Sequence, residues 1–465
     1  MPPRGASSAH RGVGGARLGE ARLPCRRPLS TTIAPLTRRP VKPHLVASTG
    51  ICAIAALAAL FPWLPWPRIV SYASAFILSS AIFVVVAWSL RRASLPRPHL
   101  LALVILLFAV RAGFLFVTPV GSDDVYRYLW DGRVQAAGIN PYRHAPNAPE
   151  LESLHSDRLP RLVNHPDLKT PYFPVAQWMF RSAYALGGEA FWPMKLLILV
   201  AEALTVIGSV LLLRHLGRPR EHALLYAAAP LAIFQFGVDA HVDALGFPFL
   251  VFGLLAWLKD RRWSGLLLLA LSISVKPVAV VLLPFLFASA RGWRERAAVV
   301  AIPAGVLVVQ FAPYVQDAQV LAGLTRLARN WMFNGSIFRA VLALTGDHRR
   351  ARVICAGVLA VVLLAMSYRA RPADTVTNSV RAVHFLLLFS PVVHPWYVGW
   401  LAVLLPFAPL PSGIVFVATV SLASLTVVTY QASGVWVDYP LVRLVEYLPV
   451  FALLHKAPWP ARESG

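Results

Sequence analysis

Charged residues are scarce in this sequence, and acids are scarcer than bases. Only 14% of the 465 residues are charged, whereas a soluble domain contains about 25%. Hydrophobic residues make up 57% of the chain, so too little polar surface exists to cover a water-soluble globule of this length. The composition excludes an ordinary soluble protein and predicts a protein whose outer surface faces lipid.

Cysteine pairs and phosphate-binding glycine motifs are also missing. The three cysteines, Cys25, Cys52 and Cys355, lie far apart, and no pair has the spacing of a metal site or a redox motif. A glycine-rich loop of the P-loop type is absent, so the sequence gives no indication of nucleotide binding. No cofactor is predicted.

Basic residues are in excess, with 44 Lys and Arg against 21 acids. They lie between the apolar runs and do not form one patch, which is how membrane proteins distribute positive charge on the cytoplasmic side. We therefore predict no nucleic-acid partner. The contact that the charge predicts is with membrane lipid.

Apolar runs recur along most of the chain, and about 20 apolar residues are needed to cross a bilayer. Several runs are shorter than this, and Lys276-Pro277 divides one pair; such pieces are tolerated where they line a cavity. The sequence predicts an all-α polytopic membrane protein with about 12 to 14 crossings. The runs are 45–64, 69–90, 99–117, 191–213, 223–238, 243–258, 264–275, 278–290, 297–315, 352–368, 380–393, 396–410, 413–431 and 442–455.

The charge distribution also predicts domains and topology. Residues 1–44 hold nine Lys or Arg and a single acid, so we expect a disordered cytoplasmic tail. We expect residues 45–456 to form one transmembrane domain, followed by a short cytoplasmic tail at 457–465. Basic connections between spans place 118–190 outside as a large first loop, and 316–351 is assigned to the same side.

This first outer loop opens with a predicted amphipathic helix. Ser122 is a good helix N-cap, and no Gly or Pro follows until Gly132, so we expect a helix from near Asp123. Four polar residues then share one face of that helix. Acids in the first turn of a helix also interact favourably with the helix dipole and so stabilise the helix, which is the simpler interpretation of the acids here. The four residues are Asp124, Arg127, Tyr128 and Asp131.

Several segments between residues 100 and 410 resemble the polyprenol-phosphate-mannose-dependent mannosyltransferases of the GT-C class. The first segment is the most specific, and Phe173 departs from the pattern where that class has proline. The segments are Asp-Asp-Val-Tyr-Arg-Tyr-Leu-Trp-Asp-Gly-Arg-Val at 123–134, Gly-Ile-Asn-Pro-Tyr at 138–142, Pro-Tyr-Phe-Pro-Val-Ala-Gln at 171–177, Asp-Ala-His-Val-Asp at 239–243, Lys-Pro at 276–277 and His-Pro-Trp-Tyr at 394–397.

The resemblance implies a GT-C-like bundle and an inverting transfer of a hexose, with mannose favoured, from a polyprenyl-phosphate donor. The acceptor is a lipid or glycan hydroxyl on the outer face of the cell membrane. A carboxylate of the first outer loop acts as general base, and we assign Asp124, with Asp123 as the second choice. The residues expected to bind substrate are Arg127, Tyr128, Asp131, His165, Lys169, Tyr172, Gln177, Asp239, His241, Asp243, Lys276, His394 and Tyr397.

Simpler interpretations of these residues stay open. Asp239 and Asp243, at i and i+4, are expected on one helix face, where sugar binding or pairing is favoured over a metal; a divalent metal is not excluded. Lys276 either contacts phosphate or extends its amine to the membrane surface. Glu202, inside a span, is either functional or paired with Lys195 or Arg111.

The remaining alternatives concern the outer loop, the aromatic pair and the whole protein. His165, Lys169 and Tyr172 also fit a solvated loop. Trp396 and Tyr397 are either interface anchors or sugar-stacking residues. The alternative function is a lipid or sugar transporter or flippase without transferase activity, although no internal repeat supports it.

Overall fold

The structure is a computed structural model that describes residues 42–316 and 319–460. Most of the predicted tail 1–44, including Cys25, lies outside the described residues, as do residues 461–465. Trp459, within the predicted tail 457–465, is 4% exposed and contacts Trp88 and His222 through its ring. The division into 1–44, 45–456 and 457–465 stays a prediction.

The described residues are mainly helical and contain no β-strand. The α-helices are α1 Pro43–Leu60, α2 Arg68–Leu90, α3 Arg97–Gly113, α4 Asp124–Ala136, α5 Pro174–Gly187, α6 Trp192–His215, α7 Leu224–Ala227, α8 Phe247–Leu258, α9 Arg262–Val275, α10 Leu283–Ser289, α11 Trp293–Phe311, α12 Ala322–Asn330, α13 Ile337–Thr345, α14 His348–Tyr368, α15 Thr375–Phe389, α16 Gly399–Ala402, α17 Pro411–Thr419, α18 Ser424–Ser433 and α19 Pro440–Ala452. Short 3₁₀ or π turns occupy Phe61–Trp63, Pro149–Leu154, Arg220–Ala223, Ala232–Val238, Val242–Gly246, Pro277–Leu282, Pro372–Asp374, Pro395–Val398 and Val420–Ala423.

Five helical segments in the described part of the chain are long and apolar enough to cross a membrane. A sixth is possible if the bent pair Ala232–Val238 and Val242–Leu258, with a 99° angle between its parts, forms one span. The all-α, polytopic membrane fold is therefore confirmed, while the number of 12 to 14 crossings stays a prediction. The five segments are Pro43–Trp63, Arg68–Leu90, Trp192–His215, His348–Tyr368 and Pro411–Ser433.

Two breaks in the apolar helices bring polar residues into the interior. Ala240 has φ 62°, a left-handed conformation that ends the helical path between Asp239 and Asp243. The prediction that these two acids share one helix face is therefore wrong. At the second break, Pro277 disfavours a helical conformation in the preceding residue, and Lys276 is extended with φ −155°.

Buried charges within the helix bundle have partners. Arg111 and Glu202 are almost fully buried and form an ion pair with an N–O distance of 3.2 Å, joining α3 to α6. Lys195 donates to the carbonyl oxygens of Phe114 and Val117 at 2.9 and 2.6 Å. Because unpaired charges are costly inside a membrane, these contacts support the structural interpretation of Glu202.

The predicted loop 118–190 carries two helices, α4 and α5, which pack against each other. Its own small apolar core forms on one side of α4. Asp167 binds Arg326 of α12 at 2.5 Å, and Asn140 donates to the carbonyl of Tyr314 at 2.9 Å. Tyr314 and Arg326 therefore contact the loop directly, while the assignment of 118–190 and 316–351 to the outer side stays a prediction. The core consists of Leu129, Trp130, Val134, Leu151, Leu159 and Val163.

Candidate active site

The start of α4 carries the two predicted catalytic acids. Asp123 flanks the helix, Asp124 is its first residue, and the Asp124 backbone N–H donates to the Ser122 hydroxyl at 3.2 Å. Asn164 then bridges the acids, because its Nδ2 donates to Asp123 Oδ1 at 2.8 Å and to Asp124 Oδ1 at 2.7 Å. One amide therefore fixes both carboxylates, although they are neighbours in sequence.

Asp124 is the more enclosed of the two acids, and it contacts the buried His241. Asp124 Oδ2 lies 3.5 Å from His241 Nδ1. Burial alone would raise the pKa of Asp124, but the contact with His241 and the Asn164 hydrogen bond lower that pKa to about 2. Desolvation and the Asp124 charge instead raise the pKa of Asp123. Asp124 is therefore the more acidic of the two.

His241 belongs to a stack of three rings. Its imidazole lies on Trp396, with ring centroids 3.7 Å apart, and His394 lies 4.3 Å from Trp396. His241 has 0% exposure, and neither of its ring nitrogens has a hydrogen-bond partner by normal geometry among the described residues. A buried nitrogen without a partner is costly, and Nδ1 faces the Asp124 carboxylate.

The stack also limits what the aromatic residues can do. Both faces of Trp396 are covered by imidazoles, so it has no free face on which a sugar ring could stack. Lys276 Nζ lies 3.7 Å from the ring centroid of Tyr397 and occupies one face of that ring. Burial lowers the pKa of His394 to about 3, which favours the neutral imidazole.

Lys276 supplies the positive charge of the cluster. Its amine binds the two carboxylate oxygens of Asp243 at 2.8 and 3.0 Å. Asp243 is 1% exposed and also accepts a hydrogen bond from Trp400 Nε1 at 2.7 Å. Lys276 keeps 20% of its side chain exposed, whereas Asp243 is enclosed. The amine is therefore positioned by Asp243 on a side chain that is partly exposed.

Tyr128 and Tyr172 line the cluster next to Asp124. Tyr128 stacks on Phe180 with centroids 4.6 Å apart, and the Tyr172 ring meets it edge-on at 5.3 Å. Tyr142 holds the backbone of Tyr172 through a 2.9 Å hydrogen bond to its carbonyl. Of the predicted substrate-binding residues, the structure thus gathers six around Asp124. They are Tyr128, Tyr172, His241, Lys276, His394 and Tyr397.

Arg127, Asp131 and Gln177 instead form a separate buried network. Asp131 accepts hydrogen bonds from Arg127 Nε at 2.8 Å, Thr170 Oγ1 at 2.6 Å and Gln177 Nε2 at 2.8 Å. Gln135 closes the network by donating to Gln177 Oε1 at 2.7 Å. The assignment of these residues to substrate binding stays a prediction, but their contacts join α4 to α5 and favour a role in the fold.

Asp239 is turned away from the catalytic acids. It accepts hydrogen bonds from the Tyr72 hydroxyl at 2.5 Å and from the backbone N–H groups of Val120 and Gly121 at 2.9 and 2.8 Å. These contacts hold the chain just before Asp124. Its contact with sugar stays a prediction, and the hydrogen bonds fix the segment that precedes Asp124.

His165 and Lys169 lie in the loop that carries Asn164. His165 is exposed, and its ring meets Trp331 edge-on with centroids 4.6 Å apart. Lys169 is half-buried in the same loop. Asn164 and Trp400 were missed by sequence analysis. They have no periodic pattern, and each reaches its acid across a sequence separation of 40 or 157 residues.

No group of three or more His, Cys, Asp or Glu in the described parts of the chain could hold a metal ion. Asp239 and Asp243, the acids weighed as metal ligands, have separate partners, because Asp239 binds Tyr72 and Asp243 binds Lys276. The question of a divalent metal stays open. The protein groups at the site supply an ionised carboxylate, a lysine amine and two imidazoles.

Comparison with known proteins identifies two matching family models. The model described as alpha-(1→6)-mannopyranosyltransferase, N-terminal domain, matches residues 44–292. The model described as MptB C-terminal domain matches residues 321–455. The acids, His241 and Lys276 fall in the first match, whereas His394, Trp396 and Tyr397 fall in the second.

Two individual relatives match part of this chain at low sequence identity. Alpha-(1→6)-mannopyranosyltransferase A of Corynebacterium glutamicum is 29% identical over 188 residues, covering 38% of this chain and 37% of that protein. The protein of the same name from Mycobacterium tuberculosis is 26% identical over 344 residues, covering 67% and 66%. The matches thus span less than two thirds of the relatives' own length.

A solved structure, ArnT from Cupriavidus metallidurans in the apo state, is 18% identical to this chain with a TM-score of 0.42. That similarity covers 76% of this chain and 70% of ArnT. Because the N-terminal family model matches more than half of the sequence, the chain belongs to the alpha-(1→6)-mannopyranosyltransferase family.

Proposed function

We propose that this protein is a membrane glycosyltransferase that moves a hexose, with mannose favoured, from a polyprenyl-phosphate donor to a hydroxyl group of a lipid or glycan acceptor. The observation that carries the proposal is the cluster of Asp124, His241 and Lys276 at the start of the loop helix. The relatives' name, alpha-(1→6)-mannopyranosyltransferase, supports mannose as the sugar.

In the proposed reaction, the Asp124 carboxylate accepts the proton of the acceptor hydroxyl. The hydroxyl oxygen attacks the anomeric carbon, the bond from that carbon to the phosphate oxygen breaks, and polyprenyl phosphate leaves. Attack opposite to the leaving group inverts the anomeric configuration. A positioned general base contributes typically 10²- to 10⁴-fold to such a step.

The phosphate is proposed to lie against Lys276. Its side chain is 20% exposed, and it belongs to the same cluster as two imidazoles that can donate hydrogen bonds. Charge-assisted hydrogen bonds of this kind stabilise a departing anion. The apolar chain of the donor would remain in the bilayer, beside the short helices α9 and α10 that flank Lys276.

We place this site on the outer face of the cell membrane, with both termini in the cytoplasm. The basic connections between spans support this orientation, because cytoplasmic loops carry the excess of Lys and Arg. Labelling of an introduced cysteine, Asn147→Cys, with a membrane-impermeant reagent tests it in intact cells. Labelling that requires permeabilised cells would contradict the orientation.

The function is tested by incubating membranes with radiolabelled polyprenyl-phosphate-mannose and following the label into lipid and polymer. We expect transfer with the wild-type protein and loss with Asp124→Asn at equal expression. Nucleotide-linked mannose serves as the control donor and should give no direct transfer. Equal labelling with wild-type and Asp124→Asn proteins would contradict the proposal.

A further inference from the structure

Glu446 of α19 is a buried acid that the reaction above does not use. It has 0% exposure and, among the described residues, forms no ion pair with Lys or Arg. Its side-chain partner is Asn334, whose Nδ2 lies 2.9 Å from Oε1 and 3.1 Å from Oε2. Burying an acid without a neighbouring cation is energetically costly, so the position of Glu446 next to Asn334 calls for a structural or functional role.

Asn334 is held by α19 at both its side chain and its backbone. Its carbonyl oxygen accepts a hydrogen bond from the Tyr447 hydroxyl at 2.8 Å. Its φ of 54° is left-handed, a conformation that Asn adopts more readily than most residues. Two adjacent residues of α19 thus fix the conformation of Asn334.

The fixed segment is joined to the chain that precedes His394. The Phe333 N–H donates to Pro391 O at 3.0 Å, and the Val393 N–H donates to Phe333 O at 2.8 Å. Gly335 allows the close approach, because a Cβ there would lie 2.9 Å from the carbonyl oxygen of Ser390. Residues 333–335 and 390–393 are therefore joined by backbone contacts.

His394 follows directly and packs on the same segment. Its ring centroid lies 4.8 Å from that of Phe333 and 4.3 Å from that of Trp396. Trp396 in turn covers His241, whose Nδ1 lies 3.5 Å from Asp124. Contacts thus run without a gap from Glu446 to the proposed base.

We propose that Glu446 is a positioning residue that, through Asn334, sets the orientation of His394 in the active site. This inference rests on the proposed function for its catalytic consequence. Glu446, Asn334 and His394 all lie in the C-terminal match, whereas Asp124 lies in the N-terminal match. Glu446 would thereby align the C-terminal region with Asp124, the proposed base, in the N-terminal region.

The test compares Glu446→Ala with Glu446→Gln, which can still accept a hydrogen bond from Asn334. We expect roughly a 10- to 100-fold loss of kcat with Ala and substantial recovery with Gln, since small misplacements of catalytic groups cost this much. Asp438→Asn is the control, because it disturbs ion pairs near the start of α19 that do not touch Asn334. It should keep wild-type turnover.

A double-variant cycle with His394→Ala shows whether Glu446 acts through His394. If it does, Glu446→Ala adds no further loss of kcat to the His394→Ala protein. Losses that multiply would overturn the proposal, as would wild-type kcat in Glu446→Ala. Should Glu446→Ala fail to fold, Tyr447→Phe removes the hydrogen bond to Asn334 O, and we expect a smaller loss in the same direction.

A second readout does not depend on transfer activity. Modification of His394 by diethyl pyrocarbonate, mapped by mass spectrometry, should rise in Glu446→Ala but not in Glu446→Gln or Asp438→Asn. Unchanged modification of His394 in Glu446→Ala would overturn the positioning role. Absence of mannose transfer by the wild-type protein, with His394 modified as expected, would contradict the proposed function alone.

Discussion

Asp124 and Asp131 lie on the same helix, two turns apart, in opposite chemical situations. Asp131 accepts three side-chain hydrogen bonds and is fully enclosed by its network. Asp124 accepts one from Asn164 and faces His241, whose buried nitrogens lack normal partners in the described chain. Thus a carboxylate whose bonds are satisfied holds a fold together, whereas one with free capacity can receive a proton.

Replacing Asp124 is the strongest way to test this contrast. Asp124→Asn keeps the size of the side chain but cannot accept the acceptor proton, so we expect a 10²- to 10⁴-fold loss of kcat. The thermal midpoint in detergent should change little. Asp123→Asn is the matched control and should lose much less activity; abolished turnover in that variant alone would move the base to Asp123.

Asp131→Ala should give the opposite pattern. It leaves the buried Arg127 guanidinium without its carboxylate, and breaking such a pair typically costs about 3–5 kcal/mol of stability. We expect a clear fall in thermal midpoint and nearly normal kcat for the protein that remains folded. Selective loss of kcat at an unchanged midpoint would assign Asp131 to the reaction instead.

Lys276→Gln tests the donor side of the site. Glutamine can still donate to Asp243 but carries no charge for the phosphate, so the KM for the lipid donor should rise about tenfold with a smaller change in kcat. Lys276→Arg keeps the charge and serves as the control. An unchanged donor KM in Lys276→Gln would indicate that Lys276 does not bind the donor, and that it only pairs with Asp243 and extends toward the membrane surface.

His241→Gln should have the smallest effect at neutral pH and a larger one in acid. The contact with His241 keeps the pKa of Asp124 low against the effect of burial. Without it the pKa rises, so protonation removes the base at a higher pH and the acid limb of kcat/KM moves upward by about one unit or more. A superimposable pH profile would show that His241 does not control Asp124.

The helices were predictable from the sequence because apolar runs of the right length leave few alternatives. The predicted run 69–90 corresponds to Arg68–Leu90, and 191–213 to Trp192–His215. The resemblance also made Asp124 and His241 site candidates, since both stand in matching segments, but their contact is a finding of the structure.

The contacts that complete the site were not predictable. Asn164, Trp400 and Glu446 act across 40 to 157 residues of sequence, and no local pattern records which chain segments meet. The prediction of one helix through Asp239 and Asp243 is wrong because Ala240 adopts a left-handed conformation. Periodicity describes a regular helix but does not show where tertiary contacts interrupt it.

The buried pair of Arg111 and Glu202 has a consequence for biosynthesis. Arg111 leaves the ribosome 91 residues before Glu202, so α3 reaches the membrane while its counter-charge is still unmade. Arg111 lies in the last turn of α3, and an unpaired charge on an inserting helix is costly. We expect α3 to pass from the translocon into the bilayer only after α6 has left the ribosome. Nascent chains truncated before and after α6 would show this as a change in the cross-linking of α3 from translocon to lipid.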